Sequence, residues 1–371
     1  MSEVFFTNFR SRPGRSLPKK MELLVKAAGI GTLDCKDKFT AIKIHFGELG
    51  NMAFLRHNYA SRMAELLRQM GARTFLTDTN TLYSGSRSNA VDHLRTAYLN
   101  GYNPISVPGA PVIIADGLKG TDEEIIPIPG GEYCKEARIA SGIAKADVLV
   151  SMTHFKGHEQ AGFGGALKNI GMGCASVAGK LHLHSDSQPV IERANCTGCR
   201  QCVINCRHGA VTLDAEKIAV INYDLCVGCG QCVAVCQYDA ARPGAFSSAQ
   251  GLTAKIAEYA WAVLRGKAHF HVSFIMDVSP HCDCWSMNDT PIIPDIGMLA
   301  SFDPLALDQA CFDMVRSAPA TPGSMADPEG THTHEGENKF AFVHPRTDGE
   351  FGLAHAEKMK LGSRTYTLTE V

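Results

Sequence analysis

Two copies of one cysteine pattern constrain this chain more than any other feature. Eight of the 14 cysteines fall between residues 196 and 236, and both copies have the spacing C-x2-C-x2-C-x3-C. Thiolates at this spacing surround one face of a [4Fe–4S] cubane, and the fourth cysteine of each run ligates the other cluster. The pattern therefore predicts two [4Fe–4S] clusters. The first is assigned to Cys196, Cys199, Cys202 and Cys236, and the second to Cys226, Cys229, Cys232 and Cys206.

Two structural zinc sites are the alternative interpretation of these cysteines. Zinc sites use two separate CxxC pairs, whereas here four cysteines share one run, so the spacing favours iron–sulfur clusters. The usual run ends in Cys-Pro, but Arg207 and Gln237 follow the fourth cysteines in this chain. Proline ligates nothing, so we expect ligation to persist. A positive charge at Arg207 favours the reduced cluster and raises its potential.

The flanks of the cysteine run indicate an α/β domain. Apolar runs alternate with amphipathic stretches, which predicts a mostly parallel sheet with helices on both faces. We expect strands at 4–9, 39–46, 72–78, 111–116, 146–155, 268–277 and 296–301, and helices at 17–28, 52–70, 87–100, 132–145, 248–265 and 303–316. The cysteine segment, residues 187–245, is then a bacterial-ferredoxin-like module inserted between two parts of the α/β domain, 1–186 and 246–371. The polar segment 317–338 is expected to form a long functional or mobile loop.

Composition narrows the class of partner. The formal net charge is -2, which provides no electrostatic basis for binding nucleic acid or an anionic membrane. No apolar run approaches the ~20 residues that a membrane span needs. The N-terminal order of apolar and basic residues does not fit a secretory signal. We therefore expect a reducing cytoplasm, in which cysteines serve metal or redox chemistry.

Polar residues end several of the predicted strands, where open parallel sheets bind ligands. His45 and His154 end two strands, and Asp78, Asp116 and Asp303 follow others, where a helix N-cap is the alternative role for Asp78 and Asp303. Further basic residues follow His154 along the chain. The candidate catalytic residues are His45, His154, Lys156, His158, His182 and His184. Buried structural histidines are the alternative interpretation.

A glycine-rich turn lies within the same histidine-rich stretch. Gly162, Gly164 and Gly165 precede an apolar helix, and backbone N–H groups at such a turn suit an anion. With Lys168 they form the candidate anion or cofactor site. The neighbouring histidines also suit an additional metal ion.

The cysteines outside the paired motifs are of two kinds. Cys282 and Cys284 are two residues apart and follow His281, so they are weak candidates for metal ligation or a redox pair, with two unreactive thiols as the alternative. Cys35, Cys134 and Cys311 have no partner in spacing and are expected in the core.

Several of these segments together resemble a known family. They are HFKGHEQAGFGGALKNIGMGCAS at 154–176, GKLHLH at 179–184, HCDCW at 281–285, PIIPDIGMLAS at 291–301 and DPLALDQA at 303–310, with the paired cysteine motifs. The chain resembles the iron–sulfur-centre proteins of the domain-of-unknown-function 362 family that carry a double-cluster ferredoxin module. The resemblance implies two [4Fe–4S] clusters on an α/β domain and anaerobic electron transfer, and it supplies no substrate.

Three functions are consistent with these features. The first is an iron–sulfur oxidoreductase, whose clusters exchange electrons between a redox partner protein and a small-molecule substrate in the α/β cleft. The second is a non-catalytic ferredoxin-like carrier whose α/β domain docks partners. The third is a cluster-based sensor or metal-handling protein. Convergence of the histidines and lysines on one face favours the first, because a docking domain does not need them.

Overall fold

The computed structural model describes residues 2–82, 85–184, 188–206, 208–226, 231–236, 238, 240–243 and 248–371. Short strands alternate with helices along most of this length. In chain order the strands are β1 (Ser2–Asn8), β2 (Phe39–Lys43), β3 (Arg73–Asp78), β4 (Val112–Ile114), β5 (Glu123–Pro127), β6 (Glu136–Ala140), β7 (Val148–His154), β8 (Lys156–His158), β9 (Gly162–Gly164), β10 (Pro189–Ile191), β11 (Val211–Leu213), β12 (Ala219–Ile221), β13 (Ala241–Pro243), β14 (Ala268–Ile275), β15 (Gly297–Ser301) and β16 (Tyr366–Glu370).

The helices are mostly short and several have a side-chain cap. In chain order they are α1 (Leu17–Ala27), α2 (His57–Gln69), α3 (Ala90–Leu99), α4 (Ser141–Ala144), α5 (Ala166–Gly171), α6 (Val177–His184), α7 (Gln201–Ile204), α8 (Gln231–Ala234), α9 (Ala249–Leu264), α10 (Pro304–Ser317), α11 (Lys339–Val343) and α12 (Gly349–Lys358). Asp303 begins α10 by accepting hydrogen bonds from the amides of Leu305 and Ala306, at 2.8 and 3.0 Å. None of the helices in the described ranges combines the length and the apolar character needed to cross a membrane.

Eight strands form one sheet in the order β16-β1-β15-β14-β7-β2-β3-β4. All neighbouring pairs are parallel except the two that involve β15, which runs antiparallel to β1 and β14. The predicted α/β fold with a mostly parallel sheet is therefore confirmed. Strands β7 and β14 come from opposite sides of the cysteine segment, yet they pair directly.

Strand β7 shows how a central strand is covered on both faces. Its residues are buried on both sides of the sheet, because helices cover both faces. Val148 and Val150 pack into the core that contains Met21 of α1 and Tyr59 of α2. Leu149, between them, packs into the opposite core with residues of α5, α9 and α10. A strand covered on both faces has no solvent-facing side, so even its polar residues Ser151 and Thr153 are buried.

The predicted helix at 132–145 is wrong. Residues 136–140 form β6, which pairs antiparallel with β5, and only Ser141–Ala144 is helical. The carboxylate of Glu258 accepts hydrogen bonds from the amides of Glu132 and Cys134, at 2.7 and 2.6 Å. The amides of Glu132 and Cys134 thus bind a side chain of another element and not a carbonyl of a helix. Burial of alternate residues then stabilises residues 136–140 as a strand.

The cysteine segment contains only short elements. Strand β10 pairs with β13, and β11 pairs with β12, both antiparallel. A small apolar core of its own contains Val211, Ile221 and Val233, and several cysteines pack against it.

Candidate functional site

A cavity of about 410 Å³ lies where β2, β3 and β7 end. This volume falls within the ~300–1,000 Å³ of small-molecule sites. Charged and nucleophilic side chains line it: Lys43, His45, Glu48, Asp78, Arg87, Lys156, His158, Glu159, Lys168, Lys180, His184, Cys282 and Cys284. Lys43 and Asp78 are the last residues of adjacent parallel strands, so the sheet itself brings them to one edge.

A buried ion network forms the floor of the cavity. Lys43 Nζ lies 3.0 Å from Asp78 Oδ1 and donates to Asn169 Oδ1 at 2.9 Å. Arg87 Nη1 lies 3.6 Å from the second oxygen of Asp78, and Arg87 Nε donates to Glu48 Oε2 at 3.0 Å. Burial alone would raise the pKa of Asp78, but the surrounding positive charges hold it well below its usual range. Asp78 is therefore an ionised structural partner, not the N-cap considered from the sequence.

One donor of this network is buried without a partner. Arg87 is only 1% exposed, and its Nη2 has no hydrogen-bond acceptor among the described residues. A buried guanidinium nitrogen without an acceptor is costly.

Cys282 lies on the cavity wall with donors around its sulfur. Lys168 Nζ donates to Cys282 Sγ at 3.6 Å. The hydrogen bond from Cys284, the Lys168 ammonium and a hydrogen bond from His158 hold the pKa of Cys282 well below its usual range, against burial. The same contact with Cys282 raises the pKa of the Cys284 thiol. Cys282 is buried, whereas Cys284 is exposed.

Asp283, between the two cysteines, is fully buried and fixes their position. Its carboxylate lies 2.9 Å from His154 Nδ1 and 3.3 Å from Lys156 Nζ, and its carbonyl accepts from the amide of Glu48 at 3.0 Å. His154 Nε2 also donates to the carbonyl of Met276 at 2.8 Å. His154 thus lies behind the wall and positions the cysteine turn through Asp283.

Hydrogen bonds to the Nδ1 atoms orient the histidine rings at the cavity. His158 Nδ1 accepts from the amides of Gln160 and Ala161, at 3.2 and 3.0 Å, so its Nε2 carries the proton. His184 Nδ1 lies 2.9 Å from Gln160 Oε1, and the amide of Gly47 donates to His45 Nδ1 at 3.0 Å. Desolvation lowers the pKa of both His45 and His184 to about 3.

The structure brings some of the sequence-predicted residues together and separates others. His45, Lys156, His158, Lys168, His184, Cys282 and Cys284 line the cavity. His154 lies behind it, and His182 contacts Tyr259 Oη at 2.9 Å through Nδ1. The sequence reasoning missed Lys43, Glu48 and Arg87. Lys43 lies two residues before His45 in the same predicted strand, so the alternation of side chains along a strand could have placed both on one face. Arg87 lies in a loop, where no sequence pattern predicts its position.

The glycine turn does not offer its amides to a ligand. The backbone N–H groups of Ala166 and Leu167 donate to the two carboxylate oxygens of Asp308, at 2.6 and 2.8 Å. A Cβ on Gly165 would lie 2.3 Å from the same carboxylate. The expected anion site at Gly162, Gly164 and Gly165 is therefore corrected: an internal carboxylate already occupies the helix N-terminus, and only Lys168 of that set lines the cavity.

Four cysteines of the cysteine segment surround a second, smaller cavity. Cys196, Cys199, Cys202 and Cys236 line it. The amides of Ala219 and Ala241 donate to the sulfurs of Cys196 and Cys236, both at 3.4 Å. Burial raises the pKa of the Cys202 thiol, and the neighbouring thiols raise it further. Soft sulfur donors facing one space, with amide donors behind them, form a ligand set for a thiolate-bound metal centre.

The other cysteines adjoin the same small core. Cys232 is buried in it, and Cys206 and Cys226 pack against it. The amide of Ala210 donates to Cys206 Sγ at 3.3 Å. Cys229, Gly228, Arg207 and Gln237 lie outside the described residues.

Helix α6 connects the two regions. Its Lys180 and His184 line the large cavity. Its Leu181 belongs to the core that contains Cys232, and Leu82 on the cavity wall packs against that core too. The helix therefore contacts both the polar cavity and the cysteine core.

A further group of ligand atoms lies in the polar loop 317–338. Ligand atoms of His332, His334 and Glu337 all lie within 4.8 Å of one another on the exposed surface. His334 Nδ1 already contacts Glu337 Oε2 at 2.7 Å. The sequence reasoning identified the loop but not this group, although H-x-H-x-x-E was readable there.

Comparison with known proteins places the chain in a family. The model of the domain of unknown function DUF362 matches residues 40–313. The chain belongs to the DUF362 family. No curated protein matches the chain.

Two solved structures are similar to this family member. One is the lactate racemase apoprotein from Thermoanaerobacterium thermosaccharolyticum, with 15% identity, a TM-score of 0.41 and coverage of 86% of this chain and 59% of that one. The other is a protein from Thermotoga maritima, with 10% identity, a TM-score of 0.38 and coverage of 80% and 57%. The chain spans less than two thirds of the length of either.

Proposed function

We propose that this DUF362 protein is an iron–sulfur oxidoreductase whose reaction site is the large polar cavity. Two [4Fe–4S] clusters, held by the cysteine segment, would exchange single electrons with a redox partner protein. The cavity would bind the small-molecule substrate. The clusters would be held by Cys196, Cys199, Cys202 and Cys236, and by Cys226, Cys229, Cys232 and Cys206.

The donor chemistry of the described cysteines fits this assignment. Four thiols from both sequence motifs line one small cavity, which agrees with the crossed pattern in which Cys236 joins the first three. Backbone N–H groups that donate to Cys196, Cys206 and Cys236 would stabilise the negative charge of bound thiolates.

The observation that carries the proposal is the position of helix α6. It contributes Lys180 and His184 to the large cavity and Leu181 to the core around Cys232. A carrier that only docks partners does not need a cavity of this size adjoining its cysteines. This contact favours an oxidoreductase over the carrier and sensor alternatives.

Charge in the cavity favours an anionic substrate. Five cationic side chains line it, against three carboxylates, Glu48, Asp78 and Glu159. Arg87 lines the wall and has one guanidinium nitrogen without an acceptor among the described residues, whereas Lys156 and Lys168 already face Asp283 and Cys282. A carboxylate or phosphate group of a small molecule is the ligand that such groups recognise.

Metal analysis tests the cluster assignment. Protein purified without oxygen should contain about eight iron and eight sulfide per chain, with the spectroscopic signal of [4Fe–4S] clusters on reduction. The matched control is Cys35→Ala, which removes a buried core thiol and should leave the iron content unchanged. Zinc in place of iron, or iron near zero after anaerobic purification, would contradict the proposal.

Ligand binding tests the cavity assignment. Inorganic phosphate and acetate, as probes of the anion class, should raise the unfolding temperature, and Arg87→Met should remove that increase. Arg95→Met removes an exposed arginine of α3 and should keep it. An equal response of both variants would show that the anions do not act at the cavity.

A further inference from the structure

We infer that Cys282 and Cys284 form a redox-active dithiol that a disulfide substrate or redox partner oxidises to an intramolecular disulfide. This inference deepens the proposed function, since the pair lies in the same cavity, but its chemistry does not require the clusters. Both sulfurs line the cavity, and a turn closed by the Trp285 amide and the Cys282 carbonyl, at 3.1 Å, holds them.

The environment of Cys282 is that of a nucleophilic thiolate. Lys168 Nζ lies 3.6 Å from its sulfur. His158 lines the same cavity, its Nε2 carries the proton because its Nδ1 accepts two backbone amides, and it lowers the pKa of Cys282. Cation and N–H donors around a sulfur stabilise the thiolate, which is the attacking species in thiol–disulfide exchange.

Cys284 is placed as the second thiol. Its side chain lines the same cavity as that of Cys282. Only Asp283 separates the two cysteines along the chain, and its buried carboxylate and its carbonyl hold the turn between them. Cys284 itself is exposed, so a mixed disulfide on Cys282 can be resolved without moving the core.

The reaction balances as ordinary thiol–disulfide exchange. The Cys282 thiolate attacks a disulfide RSSR, forming a Cys282–SR bond and releasing RS⁻. Cys284 then loses its proton and attacks the Cys282 sulfur, releasing the second RS⁻. In sum, two protein thiols are oxidised to one disulfide, and RSSR is reduced to two RSH.

Several features argue against a metal as the occupant of this pair. The Lys168 ammonium already neutralises the Cys282 sulfur. A dication bound to the same sulfur would be repelled by that ammonium, whereas Lys156 is already paired with Asp283. Metal binding by the two cysteines would therefore contradict the inference, and the experiment below tests for it.

The position of Asp283 makes the disulfide directly detectable. After equilibration of the anaerobic protein with mixtures of oxidised and reduced glutathione, free thiols are alkylated and the chain is cut before aspartate residues. The cut before Asp283 separates Cys282 from Cys284, so the two peptides remain joined only if a disulfide links them. We expect joined peptides that separate on addition of a reductant.

Variants separate this chemistry from other effects. Cys282→Ser and Cys284→Ser should abolish the joined peptides, whereas Cys311→Ser, at a buried core cysteine, should not. Lys168→Met should slow alkylation of Cys282 near neutral pH by about tenfold and move its pH profile upward, which loss of packing alone would not do. An unchanged alkylation profile would remove Lys168 from this role.

Two results would overturn the inference. One is the absence of joined peptides across the whole range of glutathione mixtures. The other is stoichiometric Zn²⁺ binding that Cys282→Ser abolishes and that blocks alkylation of both thiols, which would make the pair a metal site. Joined peptides in protein without iron would refute the clusters and keep the dithiol, and eight iron without joined peptides would do the reverse.

Discussion

The large cavity and the cysteine segment hold their reactive side chains by different means. At the cavity, Lys43, Asp78 and Asp283 are almost completely buried and paired with opposite charges of the same chain. In the cysteine segment, Cys196 and Cys206 are only half-buried, and Cys199 is exposed. The first region is assembled by its own ion pairs, whereas the second places sulfurs around space that the protein does not fill. The two regions should therefore respond differently when a metal or a charge is removed.

Removal of metal should produce the largest effect, and only in the cysteine segment. A chelator under reducing conditions should make residues 188–243 sensitive to limited proteolysis, because metal binding and folding are coupled in small ligand-rich segments. The eight-stranded sheet should keep its protection, since none of the cluster cysteines that the structure describes belongs to its cores. Equal protease resistance with and without metal would break the comparison.

A single ligand variant sharpens the same contrast. Cys206→Ala should lower the iron content by about half, because Cys206 is assigned to the cluster of the second motif. Alkylation identifies the lost cluster, because its cysteines become reactive. Loss of only the first-motif cluster would show that the crossed ligation is wrong.

Breaking an ion pair should be the costly change at the cavity. Asp283→Ala leaves His154 and Lys156 without their buried partner, and we expect a loss of ~3–5 kcal/mol in the free energy of unfolding. Asp283→Asn keeps the shape and an acceptor oxygen, so its cost should be smaller. Urea denaturation of the three proteins measures this, and a cost below that of an ordinary surface variant would contradict the buried network.

The sequence predicted the sheet better than it predicted the cavity. Apolar runs such as that of residues 148–150 at the start of β7 help to identify strands covered on both faces, because burial influences composition directly. The strand Glu136–Ala140 is predicted wrongly as a helix. Its partner β5 is near in sequence but is not predicted as a strand, and Glu258, which binds the preceding amides, is distant in sequence.

The same limit applies to the site residues. The ends of parallel strands pointed to His45 and to the region after His154, but the direction of a side chain depends on partners that a linear pattern does not reveal. His154 faces Asp283, and the amides near Gly165 face Asp308. Arg87 reaches the cavity from a loop between β3 and α3, where no periodicity applies.

A buried neutral histidine should make the cavity region sensitive to acid. Burial lowers the pKa of His93 well below its ordinary value of 6.5, despite Asp78 Oδ2 at 3.9 Å from its Nε2. Below pH 6.5 the unfolded chain therefore binds a proton that the folded chain does not. Stability should fall with decreasing pH by up to about 1.4 kcal/mol per unit.

The variant His93→Leu tests this assignment. Its unfolding free energy should depend less on pH between 7 and 5 than that of the parent, as measured by urea denaturation. An identical pH dependence in both proteins would show that other groups cause the acid sensitivity.

The smallest effect is expected from a surface ion pair of the cysteine segment. Arg193 contacts Asp214 and Glu216, both at 2.8 Å, but its side chain is 54% exposed. Exposed pairs contribute little, because water and salt screen them and ordering the long side chains opposes the gain. Arg193→Ala should therefore leave the unfolding temperature and the iron content of the protein unchanged, with Cys206→Ala as the contrasting variant. A clear loss of iron in Arg193→Ala would mean that surface charges, as well as thiolates, stabilise this region. Both regions would then depend on ion pairs and would differ only in how strongly.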